Sequence, residues 1–133
     1  MRAPALLPIL LATVAFAQKA DAPVPARVAD LLKDGARWDK KTVAVEGKVD
    51  EFKAKTSRAG NAYFTFDLLD GKEAVHVYGM GKLDPEPKDG DRVRATGRFR
   101  ETKRIGQSEI KNEVDVSAKK GAKDAKPGVE LLK

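Results

Sequence analysis

Apolar and polar positions alternate with a period of two along most of the chain. Val43, Val45, Gly47 and Val49 interleave with Thr42, Ala44, Glu46, Lys48 and Asp50, the pattern of a strand with one buried face. Further strands are expected from about Ala62 to Leu69, Glu73 to Tyr78, Asp91 to Arg100 and Ser108 to Val116. Ala54 to Asn61 (AKTSRAGN) has loop composition. Asp70-Gly71 signals a tight hairpin, because both residues tolerate positive φ. Gly79 to Gly90, with Pro85 and Pro87, suits neither a strand nor a helix and is expected to cross over. Thr102 to Gln107 is expected to turn at Gly106. Ahead of the strands the period is helical: Val28, Leu31 and Leu32 fall at i, i+3 and i+4 between Pro25 and Gly35. A helix over 26–33 is too short to stand alone, so its apolar stripe must lie on the sheet.

Five short strands with a long third connection cannot bury a sandwich, whereas closing the sheet removes its edges. The expected fold is therefore all-β, a five-stranded barrel over 42–116 with a short N-terminal helix, within one domain of 26–117. Gly47 and Gly97 sit where tight bends at barrel corners are needed. The second strand sets which side faces in. Phe64, Phe66 and Leu68 share one face; Tyr63, Thr65, Asp67 and Leu69 share the other. Burying Asp67 without a partner would be costly, so the phenylalanines point inward. By the same alternation Val75, Val77, Val93, Ala95, Gly97 and Phe99 point inward, as do Ile110, Asn112, Val114 and Val116, while Arg92, Arg94, Arg98 and Arg100 point outward.

The ends of the chain differ in composition. Arg2, the apolar run Leu6–Phe16 and the small-x-small Ala15-Phe16-Ala17 read as a signal peptide over 1–17. The run is short of the roughly 20 residues that span a bilayer, and an uncleaved anchor is the alternative. With no cysteine in the chain, no lipid anchor follows it. The mature protein is thus expected to be exported, periplasmic or secreted, with no transmembrane segment. Residues 18–25 form a polar, mobile lead-in. Residues 118–133, rich in lysine and alanine, are expected to be a disordered tail, with a motif that docks on a partner or on the barrel as the alternative. The formal charge of +6 resides largely outside the barrel. The tail holds five lysines against two acids, while Gln18–Ser117 holds 20 basic and 18 acidic residues. That balance argues against a purely electrostatic nucleic-acid binder, unless the cations gather on one face.

On the outward face of the second and third strands stand Tyr63, Thr65, His76 and Tyr78, with Lys53, Lys55 and Arg58 in or beside the first loop. Lys103, Arg104 and Gln107 lie in the loop between the fourth and fifth strands. Rings flanked by cations suit single-stranded nucleic acid: rings stack on bases and cations follow phosphates. The plainer alternative is structural, since Tyr63 and Tyr78 can simply pack across strands. The arginine row on the fourth strand is expected to be a solvated face. Trp38 is expected to cap the barrel between the helix and the first strand.

The segments KTVAVEGKV (41–49), GNAYFTFDLLDG (60–71), AVHVYG (74–79), DGDRVRATGRF (89–99) and EIKNEVDV (109–116) resemble the OB-fold family, in particular its nucleic-acid-binding, anticodon-binding-like branch. The resemblance implies a Greek-key barrel that binds over strands two and three, between the first-to-second and fourth-to-fifth strand loops. Carried onto this chain, the implied ligand-binding residues are Tyr63, Thr65, His76, Tyr78, Lys55, Arg58, Asn61 and Arg104. The implied partner is single-stranded nucleic acid; an envelope protein, a glycan or a small ligand is the alternative. Exported haem-carrying members use His-x-x-x-Tyr, whereas this chain reads His76-Val77-Tyr78, so no cofactor is expected. With one histidine, no cysteine and neither Ser57 nor Ser108 in a nucleophile elbow, no metal site and no enzymatic activity are expected.

Overall fold

The computed structural model describes residues 22–118 and 126–132, without the side chains of Lys103 and Arg104; the expected signal peptide lies outside the described residues. In chain order the elements are β1 (Val24–Ala26), α1 (Val28–Lys33), α2 (Gly35–Trp38), β2 (Thr42–Thr56), β3 (Ala62–Asp70), β4 (Glu73–Met80), β5 (Arg92–Ile105), β6 (Ser108–Asp115) and β7 (Val129–Leu131). β2 pairs antiparallel with β3 on one side and β5 on the other. β3 pairs antiparallel with β4, β4 parallel with β6, and β6 antiparallel with β5. The five strands thus close into a ring.

The ring closes around the side chains that the alternation places inside. Phe64, Phe66, Leu68, Val75, Val77, Val93, Ala95, Phe99, Val114 and Val116 are all buried, with Val43, Val45 and Val49 of β2. α1 adds Val28 and Leu31 to the same core. Its first turn is held by the Arg27 N–H donating to the Asp30 carboxylate (3.0 Å), and Arg27 reaches Asp70 of the β3–β4 hairpin (3.6 Å). Trp38 is half-buried against the core under the cations of Arg37 and Lys41, 5.4 and 5.9 Å from its ring. Gly97 permits a close approach of two barrel strands: a Cβ there would stand 2.1 Å from the Asp115 carbonyl oxygen. Among the described residues no helix is long and apolar enough to cross a membrane.

Four local readings are corrected. First, Ala54–Thr56 and Thr102–Ile105 are strand rather than loop. They pair with Ala62–Phe64 and Ser108–Lys111 as hairpins that run on past the barrel; with Ala54, Lys55, Thr56, Thr102 and Ile105 exposed, no apolar alternation marks them. Second, the strict alternation of β2 breaks at Glu51. Asp50 pairs with Asp67 but Lys53 with Thr65, so one extra residue is inserted, and Glu51 takes φ of 55°. The bulge turns Phe52 inward, where its ring lies 6.0 Å from Phe64 and 6.1 Å from Phe66. Third, the lead-in is not wholly mobile. Val24–Ala26 adds a parallel strand to Val43–Val45, and the helix starts after it; Pro25 is tolerated because this is an edge strand.

Fourth, the described part of the expected tail, residues 126–132, is ordered; residues 119–125 and 133 lie outside the described residues. Val129–Leu131 pairs antiparallel with Val93–Ala95 as β7. Gly128 is stitched in on both sides: its N–H donates to Val116 O (2.8 Å) and its carbonyl accepts from Thr96 N–H (2.7 Å). Val129 packs on the core, and Glu130 meets Arg94 at 2.8 Å. The backbone pairing with β5, extended by Leu132 N–H donating to Arg92 O (2.8 Å), the Val129 contact and the ion pair outweigh a composition that reads as disorder.

Candidate nucleic-acid interface

Strand register arranges the outward side chains in rows that cross the sheet. One row runs Lys55, Tyr63, Met80. The next runs Lys53, Thr65, Tyr78, Asp115, Arg98 across β2, β3, β4, β6 and β5. The third runs Asp50, Asp67, His76, Glu113, Arg100. Tyr63 and Tyr78 are diagonal neighbours from the first two rows, with ring centroids 5.8 Å apart and planes tilted by 40°. They form a half-buried aromatic step, with Thr65 beside it and the exposed Lys53 and Lys55 on its β2 side. Met80, opposite Tyr63, extends the apolar surface and is 39% exposed.

The third row is chemically different. His76 Nδ1 lies 3.3 Å from Asp67 Oδ1, and His76 Nε2 lies 3.9 Å from an oxygen of Glu113. Glu113 is 1% exposed, although its strand alternation points it outward. Asp50, Glu51 and Asp67 bring carboxylate oxygens within 4.8 Å of one another. Glu51 is exposed, and Asp50 and Asp67 are half-buried. His76 is thus engaged between acids, whereas the tyrosines, both half-buried, pack on each other.

The remaining site residues divide between the two ends of the strands. Arg58 and Asn61 sit at the tip of the β2–β3 hairpin, next to the Tyr63 row. That tip is closed by Ser57 N–H donating to Asn61 O (2.8 Å) and Asn61 N–H donating to Ser57 Oγ (3.2 Å). Arg104 lies opposite Glu109 on the β5–β6 hairpin. Because β6 runs parallel to β4, this hairpin projects from the other end, beyond the His76 row. Lys55, Arg58 and Asn61 therefore gather with the tyrosines, and Arg104 does not. Sequence reading missed Met80, Asp115 and Glu113 as members of the face. The outward alternation of β4 marks Met80. The parallel β4–β6 register that places the two acids follows a crossover, and no local signal carries it.

The arginine row on β5 also divides. Arg94 is clamped by Glu46 (3.1 Å) and Glu130 (2.8 Å), and its hydrogen bond to Glu46, with the charge of Glu130, raises its pKa above the ordinary arginine value. Arg98 and Arg100 lie at the β5 ends of the second and third rows.

No family model matches the chain, and no curated protein matches it. Solved structures do. One is a "putative aspartyl-tRNA synthetase" of Leishmania major, at 13% identity and a TM-score of 0.56 over 83% of this chain; the chain spans 21% of the synthetase's length. Another is a "putative nucleic acid-binding lipoprotein" of Klebsiella pneumoniae, at 16% identity and a TM-score of 0.52 over 84% of this chain and 93% of that one. At such identities the likeness is one of fold. A closed five-stranded ring in the order β2-β3-β4-β6-β5 is the OB fold.

Proposed function

We propose that this chain is an exported, non-enzymatic module that binds single-stranded nucleic acid across β3 and β4. The observation that carries the reading is the Tyr63–Tyr78 step with Lys53 and Lys55 beside it. Two bases stack on the tyrosines, at about 1–3 kcal/mol each. Thr65 and Asn61 offer hydrogen bonds, and Lys53, Lys55 and Arg58 hold phosphates. Asp50, Asp67 and Glu113 beyond Tyr78 repel phosphate, which on β2, β3 and β4 keeps the strand to the rows nearer the β2–β3 tip. Export rests on the N-terminal pattern and is in keeping with a lipoprotein among the chains of like fold. The exported form is expected to begin at Gln18, which N-terminal sequencing checks.

The test is fluorescence anisotropy of the protein with labelled mixed-sequence DNA and RNA single strands over a salt series. Binding is expected to weaken with salt. Tyr63→Ala with Tyr78→Ala is expected to leave the fold intact and remove binding. Absence of binding at low salt would end the proposal. A second reading, with an envelope protein or glycan as ligand, is favoured by the acidic character of the His76 row. Envelope fractions from which the protein recovers only nucleic acid would count against that reading.

A further inference from the structure

We infer that a second basic groove, on β5 and away from the tyrosines, holds the phosphodiester backbone of the same strand; this rests on the function proposed above. The groove, of about 1110 Å³, is lined by Arg98, Arg100 and Lys126, with Asp115 along one side and the backbone of Gly97 and Gly128 among its walls. It exists because the C-terminal segment returns to β5: Gly128 bridges Thr96 and Val116, which brings Lys126 alongside Arg98.

Charge and position both favour a polyanion. Arg94, on the same strand, is already neutralised by Glu46 and Glu130. Arg98 and Arg100 engage no carboxylate among the described residues. Asp115 is the one acid among the groove's described lining, and its Oδ1 accepts the Ser117 N–H (3.0 Å). Three cations against one acid leave the groove basic, while the barrel as a whole is nearly balanced. Its volume exceeds the range of about 300–1,000 Å³ usual for compact small ligands, as befits a chain passing through. A guanidinium fork matches phosphate oxygens in two parallel bonds.

The groove also continues the row of the aromatic step. Tyr78 pairs with Asp115, and Asp115 with Arg98, so Arg98 lies two strand spacings from Tyr78, roughly 10 Å. A strand leaving Tyr78 along this row passes one acid, Asp115, whose Oδ1 already accepts the Ser117 N–H, and avoids Asp67 and Glu113. Arg98 and Arg100 then each hold a phosphate, and the footprint exceeds that of the aromatic step alone.

The experiment compares the salt dependence of binding for two labelled oligonucleotides, one of about 4 and one of about 12 nucleotides, the span of footprints usual for an OB fold. For the longer strand, Arg98→Ala with Arg100→Ala is expected to lower the slope of log K against log salt by about 1.4, or 0.7 for each phosphate no longer held. For the shorter strand the slope stays the same. Arg98→Lys with Arg100→Lys restores the charge and is expected to restore the slope, with circular dichroism melts confirming the fold of every variant. An unchanged slope on the longer strand overturns the inference, as does an equal drop on both. Displacement of the longer strand by poly-glutamate in an Arg98- and Arg100-dependent manner assigns the groove to acidic peptides and overturns it too. If the parent protein binds no oligonucleotide, the proposed function fails and the inference falls with it. If it binds through Tyr63 and Tyr78 and ignores the two arginines, only the inference fails.

Discussion

Replacing Gly97 by alanine is expected to be among the most destabilising single-methyl changes in this barrel. The added Cβ would lie 2.1 Å from the Asp115 carbonyl oxygen, 2.6 Å from its carbonyl carbon and 2.9 Å from the Val116 Cα. All three are backbone atoms, so no side chain can swing away. Relief requires β5 and the end of β6 to separate by about 1 Å, enough to restore ordinary contact. Neither side is free to move. Gly97 pairs with Val43 across β2, and Gly128 ties Thr96 to Val116 on the other side. Overpacking costs about 1–3 kcal/mol, and each weakened backbone hydrogen bond adds about 0.5–1.5. A total of about 2–4 kcal/mol lowers the melting temperature by roughly 10–25 °C for a domain of this size. Thermal and urea melts followed by circular dichroism measure it, with the urea midpoint falling at constant slope. Gly60→Ala is the control. Gly60 has φ of 86° and no atom within 4 Å of its would-be Cβ, so that change costs only backbone strain, about 1–2 kcal/mol. A Gly97→Ala protein that melts within about 2 °C of the parent, or no lower than Gly60→Ala, would refute the close approach.

Phe64→Ala is expected to cost about 3–5 kcal/mol by opening a core cavity, while Tyr63→Ala next to it costs under about 1; urea titration of the pair reads which residue is inside. Ending the chain after Ala118 removes β7, both Gly128 bonds and the Val129 packing, at about 2–4 kcal/mol. Amide exchange at Thr96 is then expected to change from protected to fast, and unchanged protection would show that β7 contributes nothing. Asp50→Asn with Asp67→Asn is expected to tighten oligonucleotide binding a few-fold at low salt. The gain is expected to vanish near 1 M, where charges are screened beyond about 3 Å. Weaker binding at low salt would contradict the repulsion assigned to that row.

What could be read from the sequence was whatever burial enforces. Phe64, Phe66 and Leu68 alternate with Asp67, and a one-residue slip would put that carboxylate in the core, so the inward face of β3 is determined before any coordinates. Hairpin partners inherit the constraint, which is why Tyr63, Thr65 and Tyr78 emerge together on the outside. Where burial is weak, the pattern falls silent. The overhanging end of β2 is exposed at Ala54, Lys55 and Thr56, and β1 and β7 are three residues each. Their stability comes from joining an existing sheet, which alternation within the segment cannot express. The bulge at Glu51 is hidden for another reason. It shifts the phase by one, so Phe52 reads as outward until the partner strand is known. The same limit governs the site. The tyrosine step follows from one hairpin, whereas the acids opposite His76 and Tyr78 follow from the parallel docking of β6 on β4, a contact between strands far apart in the chain. That docking sets an aromatic, cationic row beside an acidic one. On the proposed function, the expected course of a polyanion is along Lys53, Tyr78 and Arg98, clear of the carboxylates of Asp50, Asp67 and Glu113.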